Sequence, residues 1–221
     1  DSLNIVIKKA KLEDEQFRKN TKAVNKQPYI SPRHAQAIDF RAQAKWQLGD
    51  SLSAIKDYEQ LVGEYKVFGP NLWGRLGVWY KRYSATKGKS GAAFDKAIGM
   101  YEMVRNAPPM VQLSAAEVYL MNEQPDKAFE YLYGLDQVSF KPEEKLLTEY
   151  LLLCTQIAQD KAEEAEIKRF EDKLKTLDFK VKAWSYQLFE ESLGGWSLNH
   201  QQIKNLRRLT DAIKVQSILV D

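Results

Sequence analysis

Trp73-Gly74-Arg75-Leu76-Gly77-Val78-Trp79-Tyr80 sets a tryptophan, a leucine–glycine pair and a tyrosine at helical spacing, in the order W-x2-L-G-x2-Y. Pro70 just upstream is a natural first-turn residue of a helix. Beyond a polar stretch, Ala97-Ile98-Gly99-Met100-Tyr101 gives an alanine and an aromatic four positions apart, and Pro108 closes the segment. The reading is two helices joined by a turn.

Upstream, Ile38, Ala42, Trp46 and Leu48 mark one helix, and Ala54, Ile55, Tyr58, Leu61 and Val62 a second. Gly49-Asp50 between them is a turn, because glycine enters left-handed backbone angles without a Cβ clash. Downstream, Ala115, Ala116 and Tyr119 lie on a helix, Asn122 and Glu123 in a turn, and Pro125-Asp126-Lys127-Ala128-Phe129 opens the next helix towards Leu132 and Leu135. Counted from Ala35, Pro70 and Pro109, the three segments begin 35 and then 39 residues apart. Together these phrases resemble the tetratricopeptide repeat, a helix–turn–helix of about 34 residues. The phrase Gly49-Asp50-x3-Ala54-Ile55-x2-Tyr58 is similar to the turn and second helix of that repeat. Small Ala54 admits the neighbouring backbone, and Tyr58 fills the adjacent gap. The chain departs from the pattern at Ile38, where tryptophan is usual, and at Arg41, where leucine is usual. Ala42 to Ala54 is 12 residues and Gly77 to Ala97 is 20, so the second segment carries an eight-residue insertion over Ser84–Gly91. Sequence leaves that insertion open between an ordered contact loop and a tether.

The resemblance implies an all-α, right-handed solenoid of stacked antiparallel hairpins, of a kind whose usual use is holding another protein. The expected hairpins are 35–68, 70–107, 109–138 and a degenerate fourth at 142–177, together spanning 33–177. In the fourth, Leu146, Tyr150, Leu153, Cys154 and Ile157 form one apolar face, and Ala162, Ala165, Phe170, Leu174 and Leu177 the next. Residues 178–221 read as capping helices. Val181, Trp184, Leu188 and Phe189 mark the first, stopped by Gly194-Gly195. Ser197 or Asn199 caps the second, which bears Ile203, Leu206, Leu209 and Ile213. Residues 1–32 read as a helical extension with Val6, Ala10, Phe17, Thr21 and Val24 on one face. The alternation Leu3, Ile5, Ile7 would instead suit a strand.

By the same resemblance, inner helices contribute Asp39, Gln43 and Trp46, then Asn71, Val78, Lys81 and Arg82, then Leu113, Glu117, Leu120 and Met121 to a concave groove. One subgroup of the family grips a chaperone's C-terminal carboxylate with Lys and Asn on the first inner helix and Lys and Arg on the third. Asp39, Gln43, Leu113 and Glu117 stand at those places here, so that clamp is not expected. The mixed groove suits an extended or helical peptide with apolar anchors.

Composition narrows the chemistry. The 221 residues are 44% hydrophobic and 29% charged, with a net charge of +3. Disorder is disfavoured, and the charge is too weak to argue for nucleic acid. Arg75, Lys81, Arg82, Lys87, Lys89 and Lys96 face only Asp95 over 75–96, while 117–149 holds eight acids against three lysines. A partner with an acidic segment would be steered to the first stretch; RNA is the less favoured occupant. No run of 18 apolar residues is present, so no membrane span is expected. Cys154 is the single cysteine and His34 and His200 are far apart, which gives neither a disulfide nor a metal set. Gly88-Lys89-Ser90 has the tail of a phosphate-binding loop, but Tyr83 stands where its first glycine is needed. Glu143-Glu144, Glu163-Glu164 and Glu190-Glu191 read as solvated helix faces.

The expectation is a non-catalytic protein-binding scaffold, with no catalytic residues, cofactor or metal. A regulatory or adaptor domain of a larger enzyme or assembly is the alternative, and self-association is compatible with both. A chain that begins with Asp1 is expected to be a processed product or an excised part. Its compartment is left open between cytoplasm and, where a signal or anchor has been removed, the cell envelope.

Overall fold

The computed structural model describes residues 2–20, 30–104, 107–179 and 186–217, without the side chains of 2, 18, 20, 186–188, 216 and 217. Every regular element among the described residues is helical. The chain divides into two compact units, Asp1–Ser90 and Gly91–Asp221. The division falls inside the segment expected as the second hairpin.

In the first unit, α1 (Ser2–Asn20) packs on α2 (Pro32–Gln47), α2 on α3 (Ser51–Glu59), and α3 on α4 (Pro70–Arg82). Residues 2–20 thus form a helix, not a strand. Its buried face is Ile7, Ala10 and Asp14, whereas Phe17, expected on that face, is exposed. Thr21, Val24, Val181 and Trp184 lie outside the described residues, as does the side chain of Leu188. Ile7 joins Ala37, Ile38 and Leu61 in one apolar cluster.

Pro32 and Pro70 open α2 and α4, where the missing N–H costs nothing because the first turn has no acceptor for it. Ser31 caps α2, accepting from the His34 N–H at 3.4 Å. α3 widens into a π-helical turn, Gln60–Glu64, which still buries Leu61 and Val62. Leu48, expected on the apolar face of α2, is instead 86% exposed at the helix end.

The insertion after α4 is ordered. Ser84–Lys89 forms a 3-10 helix packed against α4. The Thr86 hydroxyl donates to the Tyr83 carbonyl at 3.0 Å, and Lys89 reaches Glu59 at 3.0 Å.

The second unit runs α5 (Ser90–Glu102), α6 (Pro109–Met121), α7 (Pro125–Tyr133), α8 (Pro142–Ala158), α9 (Glu164–Lys175), α10 (Tyr186–Leu193) and α11 (His200–Ser217). α6 is its centre. It packs on α7, α8 and α10, and hydrogen-bonds to α5 from Tyr119 to Glu102 at 2.5 Å. Its residues Leu113, Ala115, Ala116, Val118, Leu120 and Met121 are all interior. A helix apolar all round buries itself on every side. α11 covers α8 and α9. There Arg208 forks onto Glu171 at 2.5 Å and reaches Glu164 at 2.6 Å. Asn199 caps α11, accepting from the Gln202 N–H at 2.9 Å. In α9, Ile167 rather than Ala162 or Ala165 joins Phe170 and Leu174 in the core.

One turn geometry joins α2 to α3, α6 to α7 and α8 to α9. Each first helix ends on a left-handed residue: Gly49 (φ +84), Glu123 (φ 55) or Asp160 (φ 58). The next N–H reaches back five residues, from Asp50 to Lys45, Gln124 to Tyr119 and Lys161 to Gln156, at 2.9, 3.0 and 2.8 Å. This closes the helix by satisfying an orphan carbonyl. A side chain with a Cβ is strained there by about 1 kcal/mol. Asp160→Gly is therefore expected to stabilise the second unit by about 0.5–1 kcal/mol, read as a raised urea midpoint at unchanged slope. A lowered midpoint would reject the strain. Glu123→Gly should gain less, because the Glu123 carboxylate also accepts from the Ser197 N–H at 2.8 Å.

Candidate functional site

The expected groove residues of the first unit gather into two adjoining groups. On α2, Asp39 accepts from Gln43 at 2.8 Å and from the Tyr58 hydroxyl of α3. Arg75 of α4 donates to the same hydroxyl at 3.2 Å and lies 4.0 Å from Asp39. Burial, with Asp39 beside it and Arg75 opposing, pushes the Tyr58 phenol well above its ordinary range. It stays a neutral donor. Asp39 and Gln43 are thus half-buried parts of a polar tie between three helices.

The second group is aromatic. Trp46 of α2 stacks on Trp79 of α4, with ring centroids 4.7 Å apart and planes 9° from parallel. Trp79 also leans on Tyr58 at 4.6 Å. The Arg82 guanidinium lies 5.9 Å from the Trp46 ring centroid. Trp79 is interior, Trp46 half-exposed and Arg82 exposed, so the stack runs from core to surface. An arginine over an indole is attractive through the ring quadrupole, and Trp and Arg are the residues that dominate binding hot spots. Trp73 is only half-buried, and Trp79 takes the interior place.

Two ionic ties hold these helices in register. Asp57 of α3, 6% exposed, accepts from Arg41 at 2.9 and 2.7 Å and from Lys45 at 2.8 Å. Glu59 accepts from the Tyr80 hydroxyl at 2.7 Å and from Lys89. Burial pushes the Glu59 carboxyl up, but the Tyr80 hydroxyl and the Lys89 ammonium outweigh it and hold it below the usual range. Arg75 and Lys89 of the basic stretch are thus already paired within the chain, and Asn71, Lys81 and Lys96 each have an interaction of their own.

Val78, Leu113, Glu117, Leu120 and Met121, expected to face a partner, are interior. As the structure stands, a partner does not touch them. Glu117 is a buried carboxylate whose charge, after burial itself, raises the Tyr101 phenol, and which also adds to the raised Cys154 thiol. The Cys154 thiol is raised mainly by burial, which favours the protonated form.

A feature not foreseen is an open cleft of about 490 Å³ in the second unit, between α7, α8 and α9. Phe129 and Tyr133 stack along one wall at 5.9 Å and 16°. Leu152, Leu153 and Phe170 line it, with Lys145 and Arg169 among its polar residues. The sequence signal was present in the i, i+4 aromatic pair Phe129/Tyr133, of which Tyr133 is left 78% exposed.

His34 is not isolated: its Nδ1 sits 2.9 Å from Asp14 of α1, and both are buried. Among the described residues, no group of three His, Cys, Asp or Glu is placed to hold a metal. No described helix is long and apolar enough to cross a membrane. Comparison with protein-family models, with curated proteins and with solved structures returned no match.

Proposed function

We propose that the protein is a non-catalytic scaffold, a right-handed solenoid of tetratricopeptide-like hairpins, that holds a partner protein or peptide. The observation that carries this reading is the Trp46–Trp79 stack with Arg82 laid over its outer ring. Such a stack is rigid before any partner arrives, so little side-chain entropy is lost on contact. The hairpin spacing and the recurrent turn at Gly49, Glu123 and Asp160 support the repeat reading. Arg82, exposed beside α2, favours a partner that brings a carboxylate to the aromatic surface.

The test is capture from native lysate with wild type beside Arg82→Glu and Trp46→Ala, after circular dichroism shows equal helicity. Lys81 is left alone because it is already engaged. Both variants are expected to retain at least tenfold less partner, about 1.4 kcal/mol. A partner kept equally by all three would move the contact surface elsewhere. A folded wild type that captures nothing would end the reading of the Trp46 stack as a partner-binding surface.

A further inference from the structure

The cleft between α7, α8 and α9 lies wholly within the second unit and shares no residue with the Trp46 stack. We propose that it docks a short partner segment carrying a bulky apolar side chain beside acidic residues. The inference rests on the reading of the chain as a protein-binding scaffold.

Its volume of about 490 Å³ has room for more than one large side chain. Leu153 and Phe170 are firmly packed and offer an apolar floor. Tyr133, 78% exposed, is an aromatic wall with one face unused. An apolar anchor set against exposed Tyr133 and the half-buried Phe129 and Leu152 would remove its own surface and theirs from water, which is the main source of affinity in such grooves.

Charge selects the flanking residues. The carboxylates of the cleft are already engaged: Glu149 pairs with Lys173, and Glu166 accepts from the Glu163 N–H at 3.0 Å as part of the α9 cap. Lys145 and Arg169, both exposed, have no partner among the described residues. With Glu149 matched by Lys173, Lys145 and Arg169 stand against the single remaining carboxylate, Glu166, so the balance of the cleft is positive. Arg169 suits a carboxylate bidentately, and Lys145 adds a point charge. The cleft is open and bordered by three helices, which fits an extended or helical segment better than an enclosed small molecule.

The test uses a library of displayed random peptides selected on the whole chain, wild type beside Lys145→Glu/Arg169→Glu. Wild type is expected to enrich peptides with Asp or Glu next to Trp, Phe or Leu. The charge-reversed variant, on exposed positions and checked for equal helicity, is expected to lose them and favour Lys or Arg instead. A selected peptide should bind wild type at least tenfold tighter than its Glu-to-Lys copy by fluorescence polarisation. It should lose affinity on Tyr133→Ala and keep it on Arg82→Glu. No enrichment on wild type, or the same peptides on both proteins, overturns the proposal. If selection fails while lysate capture depends on Arg82, the cleft falls and the scaffold stands. If peptides select on the cleft while no partner is captured, the Trp46 surface falls and the cleft stands.

Discussion

Trp79→Ala is expected to destabilise the first unit by about 3–5 kcal/mol, the range for deleting a buried aromatic. Trp79 is 1% exposed and lies between Trp46 and Tyr58, with ring centroids 4.7 and 4.6 Å away. Removing it empties a space that three helices border, and helices tied by Asp57 and Glu59 cannot readily close on it. A loss of that size consumes much of the stability of an ordinary domain, about 5–15 kcal/mol. Trp79→Phe should behave differently. Among the described residues the Trp79 Nε1 has no hydrogen-bond partner although it is buried. A donor in that condition costs about 1–3 kcal/mol, so losing it offsets part of the lost volume. The phenylalanine variant is expected within about 1–2 kcal/mol of wild type. Urea unfolding followed by circular dichroism measures both. A loss well above about 2 kcal/mol for the phenylalanine variant would show that the indole N–H is satisfied in the folded protein.

Asp57→Ala is the second large effect, at about 2–4 kcal/mol. Removing one partner of a buried ion pair costs about 3–5 kcal/mol, because the other charge is left stranded. Here Arg41 and Lys45 keep 22% and 28% side-chain exposure, so water partly recovers them and the cost falls. A double-mutant cycle of Arg41→Ala with Asp57→Ala isolates the pair. A coupling energy of at least about 1 kcal/mol is expected. Coupling near zero would mean that the bidentate contact contributes packing alone.

The Asp57 clamp explains why one stretch of sequence misleads. Arg41 breaks the apolar pattern of its helix, and pattern reading sees only the break. The structure shows the guanidinium turned to a carboxylate on the next helix. Helix starts were legible because proline marks them locally, at Pro70, Pro109, Pro125 and Pro142. The Gly49 turn was legible for the same local reason. Asp160 takes the same backbone angles, but aspartate rarely does, so nothing announced its turn. α1 was misplaced on its axis because Asp14, a charged residue, belongs to the buried face through His34.

The candidate site was half legible. Trp46 and Arg82 were read as groove residues, and the structure sets Arg82 over the Trp46 ring; Trp79, which stacks beneath, was not among them. The α6 residues failed because a family groove was carried onto a helix with almost no polar face. Leu113, Leu120 and Met121 answer to α6's own surroundings, which spacing against a repeat pattern does not contain. The α7–α9 cleft depends on how far three helices stand apart, and that is set by side chains distant in sequence.

The placement of Cys154 and of the paired indoles gives each unit its own clock. The single thiol is fully buried in the second unit, with a proton held tightly by its surroundings. A thiol reagent in solution must wait for that unit to open, so its reaction rate counts openings. The near-parallel Trp46 and Trp79 rings belong to the first unit alone, and coupled indoles at 4.7 Å give a paired signal in the near-ultraviolet that vanishes when they part. Without any added label, the two halves of the chain can be timed separately in one cuvette.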